Sequence, residues 1–101
     1  MLTASPKQLV RRGYDVASYA YRDDRVDEAT QRQYAAWVSL LDPILPRGGN
    51  VLDLGCGCGL PAARLLAAKY TVTGVDISPV QIGRARTLVR PAYGAEPYPR
   101  F

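Results

Sequence analysis

The stretch that decides the fold reads Val51-Leu52-Asp53-Leu54-Gly55-Cys56-Gly57-Cys58-Gly59-Leu60-Pro61. Its first four residues have the apolar character of a buried parallel strand, and glycine then occupies every second position. Glycine lets the backbone turn sharply, lets a ligand approach with no Cβ in between, and lets the loop press its backbone N–H groups against that ligand. The free N–H groups at the start of the following helix face the same gap. The stretch therefore predicts a strand, a glycine loop and a helix around a nucleotide-sized site.

A second strand and a second helix follow this loop. Residues 70–75 are rich in β-branched side chains and predict a strand that ends at Asp76, 21 residues after Gly55. Ser78-Pro79-Val80-Gln81 has the form of a capping box, with proline at the first helical position. The helix is expected to run to about residue 90, with an inward side formed by Ile82, Ala85 and Val89. This order is that of one mononucleotide-binding half of a doubly wound fold.

Two helices are predicted before the glycine loop. Residues 6–22 carry apolar side chains at three- and four-residue steps, with Pro6 near the start. A second helix begins after a cap at Asp27 and runs to about residue 41. Its apolar stripe is expected to pack in the core and consists of Tyr34, Trp37, Val38 and Leu41.

The glycine spacing discriminates between cofactors. A dinucleotide fingerprint reads G-x-G-x-x-G and would need glycine at position 60, where this chain has Leu60. The chain reads D-x-G-x-G-x-G instead, and an anionic pyrophosphate would be repelled by Asp53. Asp53 could instead attract a cationic ammonium or sulfonium group. From the end of the second strand, the Asp76 carboxylate could accept hydrogen bonds from both hydroxyls of a ribose.

These two segments resemble the first two motifs of the class I S-adenosylmethionine-dependent methyltransferases. Residues 51–59 are similar to the first motif, and residues 72–79 look like the second-strand motif, whose acid holds the cofactor's ribose. Tyr14-Asp15 and Tyr21 are similar to the amino-terminal cap of small-molecule members, which folds over the cofactor. Ser18, where alanine is common, and Cys58 are departures from the family pattern. The cofactor-binding residues that the resemblance implies are Asp53, Gly55, Cys56, Gly57, Gly59, Asp76, Ile77, Tyr14 and Tyr21.

The resemblance implies an α/β, Rossmann-like methyltransferase fold that is truncated after the second parallel strand and its following helix. We expect an amino-terminal helical cap over residues 1–46 and the first strand-helix-strand-helix of the cofactor domain over residues 47–90. Residues 91–101 contain three prolines and are expected to form an irregular, largely unpacked tail that resembles sequence read out of frame. Open sheet edges and bare apolar faces would make such a chain marginally stable or prone to aggregate.

Composition limits the partners of this chain. The 101 residues suit one domain, and their net charge of +4 comes from scattered arginines, so no nucleic-acid partner is expected. The first 30 residues do not resemble a signal peptide, and no apolar run approaches the ~20 residues of a membrane span. The chain has no histidine, so no metal site is expected, and its cysteines are interpreted as small loop residues. These features indicate a soluble, cytoplasmic protein without a membrane partner.

The function implied by the resemblance is methyl transfer from S-adenosyl-L-methionine to a small-molecule acceptor. The family's substrate pocket is built largely from residues beyond this stretch, so we assign no catalytic residue and expect weak or no activity from this chain alone. Two alternatives stay open. The chain could be a fragment of an NAD(P)-binding oxidoreductase, or a non-enzymatic module that pairs with another chain through its open sheet edge.

Overall fold

The fold is an alternation of helices and parallel strands, which confirms the predicted α/β class. A computed structural model of the chain describes residues 3–89 and 99–101. The elements in chain order are α1 (Pro6–Tyr21), α2 (Glu28–Ser39), β1 (Asn50–Leu54), α3 (Ala62–Ala67), β2 (Thr71–Val75) and α4 (Pro79–Leu88). Each lies where the sequence pattern predicts it, and the boundaries differ by one or two residues.

The two strands pair in parallel and bring their carboxyl ends together at the glycine loop. Val51 lies opposite Val72, and Asp53 lies opposite Gly74. The carbonyl oxygen of Val75 accepts hydrogen bonds from the backbone N–H of Gly55 at 2.8 Å and of Cys56 at 2.9 Å. These hydrogen bonds fix the start of the loop against the end of β2. A ligand that binds at the end of one strand would therefore also contact the end of the other.

The core lies on one face of this two-stranded sheet. Val72 is 1% exposed and packs in a cluster with residues of the surrounding helices, among them Val38, Ala63, Leu66 and Val89. The opposite face is bare, because Leu52 is 60% exposed and Leu54 is 73% exposed. The prediction of a fully buried β1 is therefore wrong in the described part of the chain, where helices cover one face of the strand.

The start of α4 differs from the predicted capping box. Ser78 caps the helix as predicted, since its hydroxyl accepts a hydrogen bond from the backbone N–H of Gln81. The Gln81 side chain does not return to Ser78, because it accepts a hydrogen bond from Ser18 of α1 at 2.6 Å. Of the three residues predicted on the inward side of α4, Ala85 and Val89 are buried and Ile82 is half-buried, while Gln81 and Arg84 are buried beside Ala85.

Helix α1 packs against α4 through polar groups. Of the described residues of α1, Ser18 is the one that is buried, at 1% exposure. The predicted apolar stripe of α1 is largely exposed, as Leu9 at 58% and Tyr21 at 65% show. Hydrogen bonds join the elements instead: Ser78 donates to the Asp15 carboxylate, and Arg11 donates to the carbonyl oxygen of Ile77 at 3.2 Å. α1 is thereby fixed beside the end of β2.

The last three residues contradict the predicted unpacked tail. Arg100 forms a parallel bridge with Thr73, in which the Gly74 N–H donates to the Arg100 carbonyl at 2.7 Å. The Phe101 ring packs against the core and occupies the space where Gly74 would carry a Cβ, 2.6 Å from that position. The remainder of the predicted irregular tail, residues 91–98, lies outside the described residues. Among the described helices, none combines the length and the apolar character that a bilayer crossing requires.

Candidate cofactor site

A cavity of about 390 Å³ opens where β1 and β2 end. It is lined by Tyr14, Tyr21, Gly55, Gly57, Val75, Asp76, Ile77 and Gln81. Except for Val75 and Gln81, these are residues that the sequence singles out for cofactor binding. The structure thus brings α1, the glycine loop and the end of β2 together around one space.

A second cavity of about 250 Å³ adjoins the first along the glycine loop. It shares Tyr21, Gly55, Gly57 and Gln81 with the first cavity and adds residues of β1, the loop and the helices. The added residues are Arg22, Tyr34, Asp53, Cys56, Cys58, Leu60 and Ala62. The two cavities are therefore neighbours, one beside Asp76 and one beside Asp53.

The Asp76 carboxylate is held in place by two backbone donors. The Gly57 N–H donates to Oδ2 at 2.9 Å, and the Ser78 N–H donates to Oδ1 at 2.9 Å. A carboxylate oxygen can accept more than one hydrogen bond, so each oxygen keeps a free acceptor position. Asp76 can therefore bind two hydroxyl groups while staying fixed by the loop.

The Asp53 carboxylate is partly buried, and one of its oxygens has no hydrogen-bond partner among the described residues. Its Oδ2 is shielded from solvent, and no hydrogen-bond donor among the described residues reaches it. Burial, and secondarily the negative charge of Asp76, raises the pKa of Asp53 above its ordinary value of 3.8. A carboxylate in this position would be stabilised by a cationic ligand group.

The sequence predicts that the N–H groups of the loop face the ligand, but in the structure four of them form hydrogen bonds within the chain. The N–H groups of Gly55 and Cys56 donate to Val75, and the N–H of Gly57 donates to Asp76. The N–H of Gly59 donates to the Cys56 carbonyl at 3.1 Å. These four amides fold the loop itself and are not free to donate to a ligand.

Two of the loop glycines, Gly55 and Gly59, serve different purposes. Gly55 has a φ of +71° and open space where a Cβ would stand, so it leaves room on the cavity side. Gly59 has a φ of +85°, and a Cβ there would lie 2.3 Å from Cγ2 of Val89. Gly59 lines neither cavity described above and instead lets α4 approach the loop. Its predicted contact with cofactor gains no support from this position.

The cysteines behave as small loop residues. Burial, and then the charge of Asp53, raises the pKa of the Cys56 thiol to about 12, which disfavours the nucleophilic thiolate. Cys58 is 2% exposed. Neither cysteine is paired in a disulfide. Both cysteines line the second cavity, and Cys56 is one of the residues that the sequence predicts at the cofactor site.

The aromatic residues divide between the cavity and the surface. Tyr14 and Tyr21 line the first cavity and meet edge to face, with ring centroids 5.7 Å apart. Tyr34, predicted to be a core residue, lines the second cavity. Trp37, also predicted to be in the core, is 52% exposed and packs edge to face on Tyr34. The predicted core role of this pair is therefore wrong.

Sequence reasoning missed Gln81 and Arg22 as cavity residues. Gln81 lines both cavities and is 2% exposed. Its spacing was the available signal, since positions 81, 85 and 89 fall on one helical face with the buried Ala85 and Val89. The capping-box interpretation explained Gln81 locally and concealed that signal.

Known methyltransferases are similar to this chain in sequence. A family model described as "Methyltransferase domain" matches residues 26–98. A phosphatidylethanolamine N-methyltransferase of Cereibacter sphaeroides is 37% identical over 81 residues, which are 80% of this chain and 36% of that protein. A 2-methyl-6-phytyl-1,4-hydroquinone methyltransferase of Synechocystis sp. is 51% identical over 49 residues, 46% of this chain and 15% of that protein.

The fold matches magnesium protoporphyrin IX methyltransferase from Synechocystis PCC 6803. Superposition on the structure of that enzyme with bound S-adenosylhomocysteine (SAH) gives a TM-score of 0.68 at 24% sequence identity. The aligned part covers 96% of this chain and 50% of the enzyme chain. Its structure with bound SAM gives a TM-score of 0.63 at 25% identity, over 98% of this chain and 55% of that one. The chain thus spans about half of the solved enzyme and less of the curated relatives. With most of its length matched by the family model and its Rossmann-like fold shared with a solved methyltransferase, the chain belongs to the methyltransferase domain family.

Proposed function

We propose that this chain forms the cofactor-binding part of an S-adenosyl-L-methionine-dependent methyltransferase that acts on a small molecule in the cytoplasm. The observation that carries the proposal is the Asp76 carboxylate, fixed by two backbone donors at the mouth of a cavity and able to accept two more hydrogen bonds. A ribose offers two adjacent hydroxyls that suit such a carboxylate. The relatives named above support the same reaction class, and they give no support to the oxidoreductase alternative.

The remaining residues fit the other parts of the cofactor. The unpartnered Oδ2 of Asp53 suits the ammonium group of the methionyl part, because a cation would offset the cost of burying this carboxylate. Gly55 leaves the space beside the strand end open, so a bulky ligand can approach the backbone. Tyr14 and Tyr21 form an aromatic wall that would exclude water from the adenosine.

The chemistry is a direct displacement in which the acceptor's nucleophilic atom bonds to the methyl carbon while the bond from that carbon to the sulfonium sulfur breaks. When bound, the cofactor supplies the activated methyl group. The contribution of this chain would be to orient the cofactor and exclude water, since positioning accounts for much of the catalysis of such a transfer. In this proposal residues 1–46 cover the site, residues 47–90 hold the cofactor, and no residue of the chain is assigned a catalytic role.

Isothermal titration calorimetry with S-adenosylhomocysteine tests the proposal. The unsubstituted chain should bind it, and Asp76→Asn should bind at least about tenfold more weakly, because the amide replaces one acceptor of a charged hydrogen bond. Glu28→Gln is the matched control, since this carboxylate is exposed on α2 and, among the described residues, forms an ion pair with Arg32 only. Tight NAD⁺ binding with no binding of S-adenosylhomocysteine would overturn the proposal in favour of an oxidoreductase fragment.

A further inference from the structure

Gln81 is a buried polar side chain with one end satisfied and the other turned toward the glycine loop. Its Oε1 accepts a hydrogen bond from the Ser18 hydroxyl at 2.6 Å. Its Nε2 lies 3.6 Å from the position of a Cβ on Gly57, and no acceptor in the described part of the chain binds it. Gln81 is 2% exposed and lines both cavities. Because Gln81 lines both cavities, a ligand bound there can supply the acceptor for this amide donor.

The orientation of this amide is fixed by a chain of hydrogen bonds that begins at Arg84. A guanidinium group can only donate, and Arg84 Nη1 donates to the Ser18 Oγ at 2.9 Å. The Ser18 hydroxyl proton must therefore point away from Arg84, and it is donated to Gln81. Because the amide oxygen takes this proton, the NH₂ group is the end left facing the loop. Asp24 holds Arg84 in place through an ion pair at 2.7 Å.

A donor in this position complements the acid beside it. The Gly57 N–H that donates to Asp76 belongs to the same residue that Gln81 Nε2 approaches. Asp76 accepts hydrogen bonds, and the N–H groups of Gly55, Cys56, Gly57 and Gly59 are already used within the chain. A ligand hydroxyl both donates and accepts, so it can meet Asp76 and Gln81 together.

We infer that Gln81 is a cofactor-binding residue whose Nε2 donates a hydrogen bond to a ribose hydroxyl oxygen, and that Ser18 and Arg84 are positioning residues that keep the amide in this orientation. The inference rests on the proposed function, since it names a further contact in the same site. It also gives Ser18 a purpose: an alanine at this position would leave the amide free to turn its oxygen toward Asp76.

The test compares two ligands and two glutamine variants by calorimetry. S-adenosylhomocysteine and 5′-methylthioadenosine both contain the ribose, and the second lacks the amino-acid part. Gln81→Met keeps the length of the side chain and removes the donor, so both ligands should bind about five- to tenfold more weakly. Gln33→Met, at an exposed position of α2, should leave both affinities unchanged. Gln81→Glu keeps the acceptor for Ser18 but puts an anion beside Asp76, so it should weaken both ligands further.

Each outcome decides the inference. Equal weakening of both ligands at an unchanged melting temperature supports it. Weakening of S-adenosylhomocysteine alone would assign Gln81 to the amino-acid part and overturn the ribose contact, and unchanged affinities would overturn any contact. If Gln81→Met does not fold, unchanged ligand binding by Gln81→Glu overturns the inference, and weaker binding of both ligands supports it. Absence of binding by the unsubstituted chain would refute the proposed function itself, and with it this inference.

The positioning role has its own test. Ser18→Ala should weaken both ligands in the unsubstituted chain and should add nothing in the Gln81→Met background, because the hydroxyl acts through the amide. Equal effects of Ser18→Ala in both backgrounds would show that Ser18 acts by packing alone and would remove it from the site.

Discussion

Gly59 and Gly55 lie in one loop with positive φ, yet replacing each by alanine should damage different properties of the chain. At Gly59, with a φ of +85°, the new Cβ would lie 2.3 Å from Cγ2 of Val89, whereas at Gly55, with a φ of +71°, no atom lies within 4 Å. The strain of a left-handed residue, about 1–2 kcal/mol, applies to both variants. Overpacking against Val89 adds about 1–3 kcal/mol to Gly59→Ala alone.

The expected loss in the free energy of unfolding is therefore about 2–5 kcal/mol for Gly59→Ala and about 1–2 kcal/mol for Gly55→Ala. Each kcal/mol corresponds to a fall in melting temperature of about 4–8 °C for a domain of this size. Ligand affinity should show the reverse order, because the alanine methyl at position 55 projects into the space left for the cofactor. Urea unfolding followed by circular dichroism measures the first property, and calorimetry with S-adenosylhomocysteine measures the second.

A second substitution separates the clash from the strain. Val89→Ala removes the methyl group that Gly59→Ala would strike, so the double variant should be more stable than the sum of the two single effects predicts, by about 1–3 kcal/mol. Additive effects in this cycle would refute the clash between residues 59 and 89. Equal destabilisation by Gly59→Ala and Gly55→Ala would refute it as well.

Three further predictions concern charge, reactivity and the bare face. The raised pKa of Asp53 means that the folded chain binds this proton more tightly than the unfolded chain, so stability should fall as pH rises from about 3.8 through the folded-state pKa. In Asp53→Asn, melting curves recorded between pH 4 and pH 7 should no longer show this fall. The variant should be more stable than the unsubstituted chain at pH 7 and should bind ligand more weakly. An unchanged pH profile would contradict the assignment of the raised pKa to Asp53. With a thiol pKa of about 12 against an ordinary 9.0, Cys56 should be alkylated about a thousandfold more slowly at pH 8 than an exposed cysteine, as peptide mass spectrometry can measure. Leu54→Thr should reduce aggregation in light scattering while changing stability by less than about 0.5 kcal/mol, since Leu54 is 73% exposed, and unaltered scattering would exclude this face as the cause.

Local patterns predicted the elements and the loop because their causes are local. The glycine loop follows from backbone freedom, and the cap at Asp27 and the proline at the start of α4 follow from the free N–H groups of a helix end. The position of Asp76 follows from the parallel pairing of β1 and β2, which brings both strand ends to one edge. These features carried the fold class and most of the residues around the first cavity.

The failures lie where distant segments meet. Apolar spacing could not show that α1 packs on α4 through Ser18, because the partners Gln81 and Arg84 are 63 and 66 residues away. Nor could it show that Arg100 would pair with Thr73 from within a segment whose composition disfavours strands. Buried polar contacts of this kind depend on complementary donors and acceptors, which hydrophobic periodicity does not record.

The bridge at Arg100 also determines in which direction the sheet can be extended. Because Arg100 pairs with the outer side of β2, the strand edge that has no partner among the described residues is that of β1, and further strands can add there. Strands that come later in the sequence would then lie on both sides of β1, so the strand order would reverse at β1. Open α/β sheets bind their ligands in the crevice at such a point of reversal. Asp53 and Gly55 stand at the carboxyl end of that strand. An added polypeptide would thus form the second wall of the cavity that this chain already lines on one side.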